Sequence, residues 1–143
     1  MDENLWKRLA LAIGWEYVQN APAGYECRDY GNDQGWWKSP DGDWQCAKCN
    51  EFVQWDHETG PAIDMAVRLA DRYDVNFHMS CNQQTKIWQM DFIKYQSFGR
   101  AIFQADKLIW RGQSPSLPEA ICKAAEELLD WETNNDKDKI RKV

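Results

Sequence analysis

Val75-Asn76-Phe77-His78-Met79-Ser80-Cys81, and after it Trp88-Gln89-Met90-Asp91-Phe92, decide the fold. In both stretches apolar and polar side chains alternate, the pattern of a strand with one buried and one wet face. Ala101, Phe103 and Ala105 predict a third strand. The connections at Asn82–Thr85 and Ser97–Gly99 are short enough for antiparallel hairpins. Upstream, Gly60-Pro61 reads as an N-cap and first helical residue, because proline lacks only an N–H that would be orphaned there. Ile63, Ala66, Val67 and Ala70 then predict a buried stripe, with Leu69 and Tyr73 on its flank. Downstream, Ser116-Leu117-Pro118-Glu119 has the capping-box pattern, and Leu117, Ile121, Ala124, Leu128 and Trp131 share one helical face. The order is helix, three strands, helix: an α+β, layered alpha-beta-alpha module over residues 61–131.

Residues 1–60 read differently. Leu5, Leu9, Ala12 and Ile13 predict an amphipathic helix, capped by Asp2 and closed by Gly14. Gly24, Gly31, Gly35, Pro40 and Gly42 then punctuate the chain. Short strands are expected at Trp15–Gln19, Trp36–Lys38, Asp43–Cys46 and Glu51–Trp55. This N-terminal annex holds 11 acids against 5 bases and six of the nine tryptophans. Residues 61–131 hold 9 acids and 8 bases, close to balance. Residues 132–143 have two apolar side chains in twelve and are expected to form a disordered tail. Residues 1–131 are thus taken as one α+β domain.

With 143 residues, 43% of them apolar, the chain can bury a core without disulfides. No apolar run reaches the length of a membrane span, and Met1–Ile13 does not have the make-up of a secretory signal. Five cysteines are an odd number, which fits free thiols in a reducing compartment better than a disulfide framework. The net charge of -6 argues against nucleic acid as a partner.

No phosphate-binding glycine loop, nucleophile elbow or His-Glu-x-x-His is present. His57 lies among carboxylates in Trp55-Asp56-His57-Glu58, and His78 falls on the polar side of its strand; neither has a nucleophile at a recognisable spacing. Cys46-Ala47-Lys48-Cys49 could supply two thiolates to a tetrahedral zinc, with Cys27 and His57 completing the set. The second paired motif that such a site needs is missing, so no metal and no cofactor are expected. A small zinc-binding or redox module built on Cys27, Cys46, Cys49 and His57 is the alternative.

Binding residues are sought among the aromatics. Trp36 and Trp37 are adjacent on a strand, so they point to opposite faces and at least one is expected to be exposed or to cover the acidic annex; an exposed one would be an interface anchor, beside the acids Asp41 and Asp43. Trp110-Arg111 joins a stacking ring to a cation, and with Arg100 forms a candidate site for a small nucleotide.

The helix–strand–strand–strand–helix order is shared with the double-stranded RNA-binding domain, which grips phosphate with lysines at the start of its last helix. Here Lys123 stands among Glu119, Glu126 and Glu127, the wrong electrostatics, so the topology is kept and RNA binding is not. Three stretches resemble another family, the phage ABA sandwich domain of small tailed-phage proteins. They are Leu11-Ala12-Ile13-Gly14-Trp15, Ile63-Asp64-Met65-Ala66, and Leu117-Pro118-Glu119-Ala120-Ile121-Cys122-Lys123-Ala124-Ala125. The last is close to the family's closing Leu-Ala-Ile-Cys-Arg-Ala-Ala motif, although Pro118-Glu119 departs from it and residues 36–55 have no counterpart. The resemblance covers residues 5–131 and carries over no catalytic residue. It implies a phage protein in the cytoplasm of an infected bacterium. Together with the missing catalytic set, it leads to the expectation of a non-enzymatic accessory protein that binds and inhibits a host factor, either a protein or a nucleotide signal. Self-association into a homo-oligomer stays open.

Overall fold

The computed structural model describes residues 3–19, 24–29, 31, 35–47, 55–96 and 106–141. The protein is α+β; the described residues form three helices and two antiparallel three-stranded sheets. It divides into two compact units, Met1–Gln54 and Trp55–Val143, so the boundary falls ahead of the expected residue 60. Trp55 is the reason: its ring is buried and its carbonyl accepts from the Cys122 thiol at 3.2 Å, which ties it to the second unit.

In the first unit α1 spans Glu3–Ala12 and buries Trp6, Leu9 and Ala10. Its end is a Schellman motif. Gly14 takes φ +95°, Trp15 N–H donates to Ala10 C=O and Gly14 N–H to Leu11 C=O. Strands β1 (Glu16–Val18), β2 (Trp36–Lys38) and β3 (Trp44–Cys46) follow, with β2 central. In the β2–β3 hairpin, Ser39 Oγ accepts from Asp43 N–H at 2.9 Å, and Gly42 supplies the left-handed residue at φ +93°. Of the expected fourth strand, residues 51–54 lie outside the described residues, and Trp55 sits in a 3₁₀ turn.

The second unit has the helix–strand–strand–strand–helix order. Helix α2 covers Thr59–Tyr73, β4 Asn76–Cys81, β5 Trp88–Gln96, β6 Asp106–Ser114 and α3 Leu117–Arg141. The sheet is a simple antiparallel meander, β4-β5-β6. Its inner rows are Phe77–Phe92–Trp110 and Met79–Met90–Gly112. Both helices lie over this face; α3 approaches so closely that a Cβ on Gly112 would meet the Ala120 carbonyl and Ala124 N. Among the described residues of this unit, no helix lies over the opposite face.

The N-cap of α2 is Glu58, not the expected Gly60; two further expectations for this unit need correction, and one falls outside the described residues. The third strand is Asp106–Ser114, while the expected Ala101–Ala105 lies outside the described residues. The buried stripe of α2 is Ala62, Met65, Ala66 and Leu69, and Val67 is 48% exposed. Apolar residues occur around most of this helix, so two stripes fit the sequence and packing selects one. Finally, the backbone of α3 continues to Arg141 through the stretch expected as a disordered tail. Extending a formed helix costs far less than nucleating one, and Thr133 Oγ1 donates to Leu129 C=O at 2.9 Å where the polar stretch begins.

Cys122 on α3 is buried, and burial, with the nearby Asp56 carboxylate adding to it, pushes its thiol pKa up to about 12 from 9.0. The folded state keeps the proton that the unfolded chain releases. The thiol's stabilising contribution is therefore complete below pH 9 and is lost as pH rises from 9 to about 12, by on the order of 4 kcal/mol at the limit. Urea unfolding midpoints between about pH 8 and about pH 11 should fall more steeply for the wild type than for Cys122→Ala. Parallel slopes would show that the buried thiol is not linked to folding.

Candidate functional site

The first unit carries an apolar cleft of about 430 Å³ lined by Lys7, Leu11, Tyr17, Trp37 and Ala47. Lys7 and Leu11 are one turn apart on α1, which puts both on one edge of the helix. Tyr17 and Trp37 are cross-strand partners on β1 and β2, with ring centroids 5.2 Å apart in an edge-to-face arrangement. Trp6 meets Trp37 similarly at 5.8 Å. Gly35 leaves room for the Tyr17 ring, since a Cβ there would meet its hydroxyl. Trp37 is therefore a rigid floor, and Leu11 and Tyr17 are the accessible walls, 58% and 49% exposed. A volume of this order suits one or two apolar side chains or a small organic ligand.

This overturns the expected role of Trp36 and Trp37 as exposed anchors. Both are buried, at 4% and 3% exposure. They do point to opposite faces, but both rings are covered: Trp6 of α1 and Tyr17 of β1 pack against Trp37, and Trp36 is buried as well. Trp36 Nε1 is buried with no hydrogen-bond partner, so burial of this ring carries an unmet polar cost. Asp41 and Asp43 are exposed at the β2–β3 turn, as expected for acids at a hairpin tip.

In the second unit Trp110 is buried and packs edge-to-face on Trp131 at 5.1 Å. Arg111 points to the other face, so the expected Trp110–Arg111 platform does not form; alternation along β6 separates ring from cation. Arg100 lies outside the described residues. Arg111 instead grips the buried Asp91 across the strands, Nε to Oδ1 at 2.8 Å and Nη2 to Oδ2 at 3.3 Å. The pairing to Asp91 holds the guanidinium pKa above its ordinary value. Asp91 also accepts from Gln89 Nε2 at 3.1 Å, and Gln89 Oε1 accepts from Gln113 Nε2 at 2.8 Å. A directed ladder of polar side chains therefore crosses the uncovered face, flanked by Ile109, 45% exposed, and Tyr95, 54% exposed.

No family model, curated protein or solved structure matches this chain.

The residues of the zinc alternative divide between the units. Cys27 and Cys46 belong to the first and His57 to the second, while Cys49 lies outside the described residues. Cys27 is half-buried and Cys46 buried. Among the described residues no three His, Cys, Asp or Glu side chains are grouped to hold a metal ion. His57 Nδ1 lies 2.9 Å from Asp56 Oδ1. Burial works to raise the Asp56 pKa, but hydrogen bonding and charge, those of His57 among them, hold it below the usual carboxylate value. The Cys122 thiol lies near Asp56, but burial raises its pKa, the opposite of what activates a nucleophile, and His57 stays largely exposed, so the pair is an ion pair more than a catalytic dyad. Among the described residues no helix is long and apolar enough to cross a membrane.

Leu11 and Tyr17 are the functional candidates that sequence reasoning missed. The signal for Leu11 was present. It lies about 200° around the helix from Leu9, an apolar residue on the polar side of the stripe. Tyr17 carried no comparable signal, because its exposure depends on the three-strand register.

Proposed function

We propose that the chain is a binding protein without catalytic chemistry, a phage accessory protein that acts in the infected bacterial cytoplasm by engaging and inhibiting a basic host protein. The observation that carries this reading is the Leu11–Tyr17–Trp37 cleft. It joins accessible apolar walls to a fixed aromatic floor, the make-up of an anchor pocket. Its setting selects the partner. Residues 1–54 hold nine acids and five bases, so this unit carries a net negative charge that favours encounter with a basic surface, although the charged residue lining the cleft itself is Lys7. The resemblance to the phage ABA sandwich domain supports the phage setting, and the charge disfavours nucleic acid.

Immobilised wild-type chain is expected to retain a basic protein from host extract, and salt is expected to weaken that retention. Leu11→Glu should abolish the retention, with a loss of about 2 kcal/mol or more, while the melting temperature stays unchanged because Leu11 is exposed. Asp41→Lys and Asp43→Lys should mainly slow association. Retention that is indifferent to both Leu11→Glu and salt would reject this surface.

A further inference from the structure

We propose that the cleft at the β4–β5 hairpin end of the second unit is a site for the adenine ring of a small nucleotide. The cleft measures about 470 Å³, and its polar lining is Ser80, Asn82, Thr85, Gln89 and Gln113. Ser80, Gln89 and Gln113 form one cross-strand row on the sheet face that no helix covers. None of these lining side chains is charged, so the group the cleft takes is neutral and rich in hydrogen-bonding edges.

Asp91 sets the sense of that edge. An ionised carboxylate can only accept, so Gln89 must turn Nε2 toward it, at 3.1 Å. Gln89 Oε1 is then the group that faces Gln113, which answers with Nε2 at 2.8 Å. Gln113 is left with Oε1 as an acceptor and its second N–H as a donor. That pair matches the adenine N6 amino group and N7, the pairing by which glutamine reads adenine elsewhere. Hypoxanthine carries a carbonyl oxygen at the same ring position and would set acceptor against acceptor. At the mouth, Asn82 Oδ1 is committed to the loop amides of Gln84 and Thr85, which holds the hairpin in shape. Lys86 sits in that hairpin at φ +59°, exposed, next in the chain to Thr85 of the lining, a cation within the same loop for a phosphate carried on the ribose. The site uses second-unit residues only, so it stands or falls separately from the first-unit cleft.

The test is a ¹⁵N NMR titration of the full chain with adenosine 5′-monophosphate and, in parallel, inosine 5′-monophosphate. The side-chain amide signals of Gln89 and Gln113 should shift with the adenine nucleotide, and the hypoxanthine nucleotide should bind about tenfold more weakly. Gln113→Leu, at an exposed position, should weaken adenine binding about tenfold with the fold intact. Asp91 acts as a positioning residue. In Asp91→Asn the side chain can donate as well as accept, so the ladder loses its sense and the preference for adenine over hypoxanthine should shrink toward unity. A structural role alone would weaken both nucleotides equally. The proposal is overturned by an absence of shifts at millimolar nucleotide, by equal binding of the two nucleotides to the wild type, or by undiminished binding in Gln113→Leu.

Discussion

Gly112→Val is expected to unfold the second unit. Gly112 lies on β6 where α3 crosses, and any Cβ there meets the Ala120 carbonyl, Ala124 N and Lys123 Cβ. Two of these are backbone atoms of a regular helix and cannot swing aside as a flexible side chain would. The helix would have to lift off the sheet, exposing Ala120, Ile121, Ala124 and Leu128, all fully buried. Overpacking alone costs about 3 kcal/mol at such a contact. Separation of α3 from the sheet adds to that, against a total stability of about 5–15 kcal/mol for an ordinary domain. Gly112→Ala should be the milder version, still destabilised. Urea unfolding followed by far-ultraviolet circular dichroism measures both, and a Gly112→Val protein within about 1 kcal/mol of the wild type would mean that α3 does not pack on β6 this closely.

Phe92→Ala should cost about 3–5 kcal/mol. The ring is fully buried at the middle of the central strand, between Phe77 and Trp110 in the register, with the Phe77 centroid 6.5 Å away. Truncation removes the ring's burial and leaves a cavity whose walls, held by strands on both sides, cannot collapse. Phe92→Leu keeps most of the volume and should cost less than about 1.5 kcal/mol. Comparable losses for the two variants, measured by the same unfolding experiment, would argue against a tightly packed inner face.

The inner face was legible because Phe77, Met79, Met90 and Phe92 alternate with polar residues, and burial on one face of a sheet leaves that trace in any strand. β6 hid its trace. Its inward positions after Trp110 are Gly112 and Ser114, chosen by the closeness of α3 and not by hydrophobicity, so the alternation looked broken. Trp110-Arg111 then resembled a binding pair, when it is one core residue beside one surface residue. Trp36-Trp37 failed for a related reason. Sequence shows that neighbours on a strand part to opposite faces, but not whether both faces are covered, which depends on what the tertiary fold packs over each, as Trp6 and Tyr17 pack over Trp37. The cross-strand links of the Asp91 ladder could not be read, because Arg111 and Asp91, and Gln113 and Gln89, are 20 or more apart in sequence and meet only through the β5–β6 register.

The most direct test of the account is the plating efficiency of a restricted phage on bacteria that express the chain. The wild type should raise plating, Leu11→Glu should not, and Gln113→Leu should match the wild type if inhibition runs through the acidic first unit. A Leu11→Glu chain that protects the phage as well as the wild type does, while present at equal abundance, would contradict the claim that this cleft is the working surface.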